Sequence, residues 1–249
     1  MESLTRFPSG KYNGLRRGGQ NEKNTPHSTG GKKQQPLCVD APSLNKPGCT
    51  VQKKRTSLTP EREAKIRRVL AMRQKDLCLV LANIHDPHNV SAIYRSCDAF
   101  GVPAVHLYYT DTAFPVLGAK SSASARKWVR TVRHNDMDSL MTTLKSQGMT
   151  VYATSCTGAA QPVGALDLTR PTAFVLGNEH RGVDEEFSGR ADGEVYIPMY
   201  GMIQSFNVSV AAAILLAEAA RQRGAAGLYA GPSYSEAELA ELYAEWSAK

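Results

Sequence analysis

The sequence has few cysteines and none in a C-x-x-C pair. Its five cysteines are an odd number, which favours reduced thiols in a cytosolic protein over a disulfide framework or a zinc site. His85 and His88 lie close together, but no further cluster of ligand residues accompanies them. We therefore expect no bound metal.

Long apolar runs are also missing. No stretch approaches the roughly 18 to 20 residues that are needed to span a bilayer. The first residues, "MESLTRFPSGKYNG", lack the apolar core of a signal peptide. These two absences lead us to expect no membrane association and a cytoplasmic location.

Positive charge is concentrated in one part of the chain. The protein has 30 Lys and Arg against 23 Asp and Glu, a net charge of +7, and residues 1–59 hold 11 of the basic and 3 of the acidic residues. Residues 1–56 are polar and show no apolar periodicity, which predicts a disordered basic extension. The remainder is expected to form one domain over residues 57–230, followed by an acidic helical tail over residues 231–249.

Two basic clusters remain inside the expected domain. The cluster over residues 61–75 has two glutamates and could be a solvated helix face, whereas the cluster over residues 120–133 has no acidic residue and favours phosphate contact. The residues that we predict to contact RNA phosphates are Arg62, Arg67, Lys120, Arg126, Lys127 and Arg130.

Strand-length apolar runs alternate with helical patterns. This alternation is typical of an α/β domain with a mostly parallel sheet and helices on both faces. Glycine and proline follow several strands, in "ATSCTG", "LGNE" and "IPMYGM", at the ends where open α/β sheets bind ligands. The predicted strands cover 77–83, 104–109, 150–155, 172–179 and 193–199, and the predicted helices begin at Thr59, cover 88–101 and 137–148, and run from Gln204 to Arg223.

The common nucleotide and hydrolase motifs are absent. No G-x-G-x-x-G follows a strand, and no G-x-S-x-G is present. The segment "GAKSS" at 118–122 resembles the end of a phosphate-binding loop, but Ala113 stands where that loop requires glycine. These absences argue against the common dinucleotide fold, nucleotide hydrolysis and a serine hydrolase.

Three polar clusters stand at predicted junctions between strands and helices: Asn89 with Arg95, Glu179 in "LGNEHRG", and Ser205 with Asn207. Each has an ordinary structural explanation when it is taken alone. An arginine in an amphipathic helix usually faces solvent, and a glutamate after a strand is commonly a loop ligand or a partner of a helix dipole. Helix capping explains one of Ser205 and Asn207, but not both.

Taken together, these clusters show a family resemblance. "HDPHNVSAIYRSCDAFGV", "FVLGNEHRGV" and "IPMYGMIQSFNVSVAAAILLAEA" resemble the three motifs of the SpoU/TrmH branch of the SPOUT RNA methyltransferases. The resemblance covers residues 58–223. "TPEREAKIRRVLAMRQKDL" is similar to the start of the TrmH group, the tRNA guanosine-18 2′-O-methyltransferases, whereas the extension before Leu58 departs from that group's short start.

The resemblance implies a sheet whose C-terminal part forms a deep trefoil knot, an exception to ordinary chain connectivity. It also implies a homodimer, with S-adenosylmethionine bent in the knot and held largely by backbone groups. The positions that match the cofactor site are Thr154, Leu176, Gly177, Ile197, Met199 and Phe206.

The implied reaction is direct methyl transfer to a ribose 2′-hydroxyl of tRNA, at the D-loop guanosine. The resemblance assigns activation of the hydroxyl to Arg95, with Asn89, Glu179, Ser205 and Asn207 shaping the site. Because a guanidinium has a pKa above about 12, Arg95 suits positioning and charge stabilisation better than proton removal.

Three other interpretations stay open. The first is an enzyme that modifies ribosomal RNA or another tRNA position, although the short helical start without a folded N-terminal substrate domain favours tRNA. The second is a non-catalytic RNA-binding protein on the same scaffold, and the complete polar set argues against it. The third is a general nucleotide-binding α/β domain, which the missing phosphate loops disfavour.

Overall fold

The structure, a computed structural model, describes residues 58–111, 113–115, 125–155, 157–179 and 181–249. The extension predicted over residues 1–56 and the predicted phosphate contact Lys120 lie outside these residues. The elements are α1 Pro60–Ala71, β1 Leu77–Ala82, α2 Pro87–Ala99, β2 Ala104–Tyr108, α3 Ala125–Trp128, β3 Arg130–His134, α4 Met137–Ser146, β4 Thr150–Thr154, β5 Gln161–Pro162, a 3₁₀ turn Val163–Ala165, β6 Thr172–Leu176, α5 Glu185–Arg190, β7 Gly193–Tyr196, α6 Val208–Ala225 and α7 Glu236–Ser247.

The apolar runs form the centre of a parallel sheet. Within the described residues the sheet has seven strands in the order β3-β2-β1-β6-β4-β7-β5, and every neighbouring pair is parallel. Every residue of β1, β2 and β6 is buried, as expected for strands that are covered on both faces. The predicted α/β class with a mostly parallel sheet is confirmed.

Alternate residues of β1 face two separate apolar cores. Leu79 and its neighbours two residues away pack with α2 and α6, whereas Val80 and its neighbours pack with α4 and α5. Helices therefore cover both faces of the sheet. The strands point their carboxyl ends at a single edge, and the residues predicted to hold the cofactor lie at that edge.

Three predicted elements are at least three residues shorter at one end in the structure. The strand predicted over 193–199 ends at Tyr196, before Pro198. The strand predicted over 172–179 ends at Leu176, because Gly177 begins a tight loop. The helix predicted from Gln204 begins only at Val208, because Asn207 is its N-cap and accepts a hydrogen bond from the Ser209 N–H. Ser205 therefore lies in the loop before the helix.

Helix α7 packs on α1. Trp246 is buried with Ile66 and Leu70, and the guanidinium of Arg67 lies 4.0 Å from the centre of the Tyr243 ring. A capping box at Ser235 begins α7. The acidic helix predicted in the C-terminal part is thus placed against the basic helix α1, while the predicted boundary at residue 231 stays a prediction.

A buried arginine fixes the far end of α6. Arg223 is fully buried and donates hydrogen bonds to the carbonyls of Leu168 and Arg170, and its Nη1 pairs with a carboxylate oxygen of Asp76. A buried guanidinium is tolerated only when it is paired and hydrogen-bonded in this way. The contact ties α6 to the segments that precede β1 and β6.

Candidate active site

A cavity of about 600 Å³ lies at the carboxyl ends of β4, β6 and β7. Parallel strands bring the loops that follow them to one edge of the sheet, and this is where such folds bind ligands. All six residues predicted to hold the cofactor line this cavity, namely Thr154, Leu176, Gly177, Ile197, Met199 and Phe206. Their binding role stays a prediction, but the structure brings them together.

The loop that follows β6 turns back sharply at the cavity. The Gly182 N–H donates to the Asn178 carbonyl at 2.9 Å, and Gly182 adopts a φ of 74°, which favours glycine. A Cβ on Gly177 would lie 2.0 Å from the Gly182 carbonyl oxygen, so only glycine fits there. This turn presents Glu179 and Arg181 to the cavity.

Three donors from the beginning of α2 and the loop before it hold the Glu179 carboxylate. The backbone N–H groups of His85 and Asp86 donate to it at 3.1 and 3.4 Å, and the Asn89 amide Nδ2 donates at 2.9 Å. Residues about 90 positions apart in the sequence are therefore joined at the rim of the cavity.

Asn89 joins Glu179 to the helix entrance. Its Oδ1 accepts a hydrogen bond from Asn207 Nδ2 at 3.1 Å, while Asn207 Oδ1 accepts from the Ser209 N–H and hydroxyl. Asn207 thus caps α6 and also contacts Asn89 near the beginning of α2. We call Glu179, Asn89 and Asn207 the amide–carboxylate cluster. Ser205 is exposed and lines the cavity beside it.

The environment of Glu179 favours its ionised form. Partial burial raises the pKa of this carboxyl, but the hydrogen bonds from Asn89 and from backbone N–H groups outweigh burial, so the pKa lies below its ordinary value. The carboxylate is therefore an acceptor at neutral pH and is not available as a general acid.

This pKa shift predicts a pH-dependent effect of Glu179→Gln. The glutamine amide has the shape of the carboxylate, but its NH2 group faces one of the three hydrogen-bond donors. We therefore expect the free energy of unfolding to fall by about 1 kcal/mol. A lowered folded-state pKa stabilises the protein fully above the ordinary pKa of 4.5, and this contribution disappears as the pH falls through the folded-state pKa. Urea unfolding of both proteins at pH 7 and pH 3.5 measures the difference.

Glu241→Gln is the matched control, since Glu241 is exposed on α7 away from the cavity. It should change the free energy of unfolding little at either pH. A difference between wild type and Glu179→Gln that stays equal from pH 7 to pH 3.5 would show that the charge of Glu179 is not its source.

Arg95 is exposed in the third turn of α2 and does not line the cavity. Its side chain makes no hydrogen bond or ion pair with any other residue that the structure describes. It lies six residues after Asn89, about 9 Å further along the helix axis. As far as the described residues go, its guanidinium is open to a ligand that approaches from solvent.

Comparisons with known proteins identify the family of this chain. A sequence profile described as the SpoU rRNA Methylase family matches residues 76–217. The chain belongs to this family. A tRNA (guanosine(18)-2′-O)-methyltransferase from Thermus thermophilus is 44% identical over 191 residues, which cover 77% of this chain and 98% of the relative.

Two solved structures of SpoU proteins are also similar. The A. aeolicus TrmH/SpoU tRNA modifying enzyme is 37% identical, with a TM-score of 0.71, over 76% of this chain and 95% of that protein. The SpoU methyltransferase AviRb from Streptomyces viridochromogenes, solved in complex with the cofactor AdoMet, is 26% identical with a TM-score of 0.56, over 61% and 62% of the two chains. The predicted family resemblance is confirmed.

The predicted RNA contacts of this SpoU-family chain lie away from the cavity. Arg126, Lys127 and Arg130 are exposed and line a second cavity of about 820 Å³. The residues at the amino ends of β1 and β2 also line it, so it lies at the opposite edge of the sheet. Arg62 and Arg67 are exposed on α1, and Arg67 pairs with Glu63 at 2.9 Å.

Sequence reasoning missed three residues that connect the loops at the cavity. Asn83, Asp111 and Arg181 are joined through hydrogen bonds, although they follow three different strands. The signal in the sequence was an asparagine directly after the buried strand β1, a residue type that tolerates the left-handed backbone region. No residue spacing could have indicated its partners.

The part of the chain that the structure describes holds neither a cluster of metal-ligand residues nor a membrane-spanning helix. No group of three or more His, Cys, Asp or Glu side chains is arranged to hold a metal ion. No helix among these residues is long and apolar enough to cross a membrane. The expected absence of a metal stays a prediction.

Proposed function

We propose that this chain is an S-adenosylmethionine-dependent methyltransferase that modifies the ribose 2′-hydroxyl of guanosine 18 in tRNA. One observation carries the proposal: the predicted cofactor residues and the amide–carboxylate cluster meet at one cavity. The naming of the Thermus relative supports the substrate. A tRNA substrate also supports the expected cytoplasmic location.

The cavity suits the cofactor in size and lining. Its volume of about 600 Å³ lies within the range of about 300 to 1,000 Å³ that is usual for small-molecule sites. Leu176, Ile197 and Phe206 give apolar surface for an adenosine, and the loop ends give backbone polar groups. When bound, S-adenosylmethionine would supply an electrophilic methyl group carried by a sulfonium. The leaving group is a neutral thioether, so the transfer requires no metal.

The polar residues have different tasks in this proposal. A 2′-hydroxyl is a weak nucleophile, so its proton must pass to an RNA phosphate or to water, and the developing charge on its oxygen must be stabilised. Arg95 holds the ribose or a neighbouring phosphate and stabilises the negative charge on the oxygen. The amide–carboxylate cluster and Ser205 shape the rim where the ribose lies, and the ionised Glu179 keeps the cluster in place.

We also propose a trefoil knot and a homodimer. The strand order supports the knot, because the chain passes from the edge strand β5 back to β6 beside β1 and then out to β7. The loop before α6 supports the homodimer, because Tyr200 and Met202 are 98% and 99% exposed and Ile203 is also exposed. Apolar side chains clustered beside a functional cavity are typical of an interface.

Transfer of labelled methyl from S-adenosylmethionine to unmodified tRNA tests the function, with the modified nucleotide mapped by 2′-O-methyl-sensitive sequencing. Methylation confined to the D-loop guanosine is the expected result. Labelling of ribosomal RNA without tRNA would favour the alternative substrate. Cofactor binding without labelling of either RNA would favour a non-catalytic RNA-binding protein.

The basic cluster over α3 and β3 predicts a change in the salt dependence of tRNA binding. Replacing Arg126, Lys127 and Arg130 by glutamine should weaken binding and reduce the slope of log K against log salt by about one unit per lost phosphate contact. The position of the methylated nucleotide should not change. Filter binding over a range of KCl concentrations measures the slope.

A second triple variant is the matched control, because it removes the same net charge elsewhere. Lys145, Arg170 and Arg190 are each paired with an aspartate on the surface, and their replacement by glutamine should leave the slope close to that of the wild type. Equal slopes for the two triple variants would show that the α3 and β3 cluster does not face the RNA.

A further inference from the structure

Asn83 combines a left-handed backbone conformation with a buried polar side chain. It follows β1 directly and is the only non-glycine residue with a positive φ, 50°, among the residues that the structure describes. The residue is 2% exposed. A left-handed residue is unfavourable for most side chains, and such positions persist when the surrounding contacts enforce them.

The contacts of Asn83 reach two other loops. Its Oδ1 accepts hydrogen bonds from the N–H groups of Thr110 and Asp111 at 3.0 and 3.5 Å, and its Nδ2 donates to the Thr110 hydroxyl at 3.2 Å. Its own carbonyl accepts a hydrogen bond from Asn178 Nδ2 at 2.8 Å. One residue thus joins the loops that follow β1, β2 and β6.

An ion pair closes these contacts into a ring. Asp111, held by Asn83, accepts from Arg181 Nη2 at 2.7 Å, and Arg181 lies in the same turn as Asn178. Glu179 lies between Asn178 and Arg181, and its carboxylate binds the N–H groups of the two residues that follow Ile84. The ring therefore encloses the loop that carries the carboxylate of the amide–carboxylate cluster.

We infer that Asn83 is a positioning residue for methyl transfer: its backbone conformation and its side chain fix the three loops and thereby the place of Glu179 and Asn89. The inference rests on the proposed function for its kinetic part. Asn83 lines no part of the cofactor cavity, so it acts through the other residues. Its effect should appear in turnover more than in binding.

Two substitutions distinguish the effect of the backbone conformation of Asn83 from the effect of its side-chain hydrogen bonds. Asn83→Gly adopts a positive φ without strain but loses the three side-chain hydrogen bonds, whereas Asn83→Asp retains the acceptor for the two N–H groups. Since a misplacement of about 1 Å can cost about 10²-fold in rate, we expect Asn83→Gly to lower kcat about 10- to 100-fold. The KM for tRNA and the Kd for S-adenosylmethionine should stay within about threefold. Asn83→Asp keeps the acceptor but buries a carboxylate, so it should lose less kcat than Asn83→Gly without matching the wild type.

A second measurement does not depend on the substrate. Hydrogen exchange of the His85 and Asp86 amides, which are bonded to Glu179, should be faster in Asn83→Gly and close to wild type in Asn83→Asp. Asn135→Gly, at an exposed asparagine before α4, is the matched control and should change neither kcat nor these amides.

The outcomes separate the two proposals. Wild-type protein that transfers no methyl to tRNA contradicts the proposed function, and the exchange of the two amides then still decides the role of Asn83. Unchanged amide exchange in Asn83→Gly, or unchanged kcat together with a lower melting temperature, would mean that Asn83 only stabilises the fold.

Discussion

Replacing Arg95 by alanine is expected to lower kcat for tRNA methylation by about 10²- to 10³-fold. The guanidinium is exposed and unpaired among the described residues, so the substitution removes a charge from solvent and leaves no buried group without a partner. Stability should therefore change little. Because Arg95 does not line the cavity, the Kd for S-adenosylmethionine should stay within about twofold. Single-turnover methylation and equilibrium cofactor binding measure the two quantities.

Arg95→Lys is the informative control for this prediction. Lysine retains the positive charge but cannot form the planar, bidentate contact of a guanidinium with a phosphate. If Arg95 positions the ribose or a phosphate through two hydrogen bonds, the lysine variant should recover only a small part of the lost rate. Full recovery would show that charge alone is required, and normal turnover by Arg95→Ala would refute the assignment of Arg95.

The edge of the sheet that holds the cavity could be predicted from the sequence. Buried strands appear as continuous apolar runs, and glycine or proline marks where they end, so the sequence pattern alone places residues such as Gly177 and Ile197 at one edge. The errors lie at element ends. Whether Ser205 or Asn207 caps α6 depends on a single side-chain hydrogen bond, and both residue types are good caps.

The ring around Asn83 could not be predicted in this way. Its contacts join residues that are 27, 70 and 95 positions apart, and they depend on which loops the strand order brings together. Sequence spacing also did not show that Arg130 begins its strand at the edge opposite the cavity. Charge in a sequence identifies a candidate contact, whereas its distance from the site is set by topology.

Gly177→Ala is expected to reduce methyl transfer about as strongly as Arg95→Ala. The cause differs, because this substitution disturbs the cofactor cavity and not the contact with the ribose. The added methyl group would lie 2.0 Å from the Gly182 carbonyl oxygen and 2.3 Å from the Val183 nitrogen, and both are backbone atoms that cannot rotate away. The turn that carries Glu179 must therefore move out of place. We expect cofactor affinity to fall at least about tenfold and kcat about 10²-fold, as measured by calorimetry and methyl transfer.

Substitutions at two other glycines are the controls for this prediction. A Cβ on Gly158 meets no atom within 4 Å and its φ is not positive, so Gly158→Ala should behave as wild type. Gly182 also has open space, but its φ of 74° strains any other residue, so Gly182→Ala should lose about 1 kcal/mol of stability and less activity than Gly177→Ala. If Gly182→Ala proves the more damaging, backbone conformation limits this turn more than the close approach of Gly177 to Gly182. Wild-type cofactor binding by Gly177→Ala would contradict the packing of the loop against the end of β6.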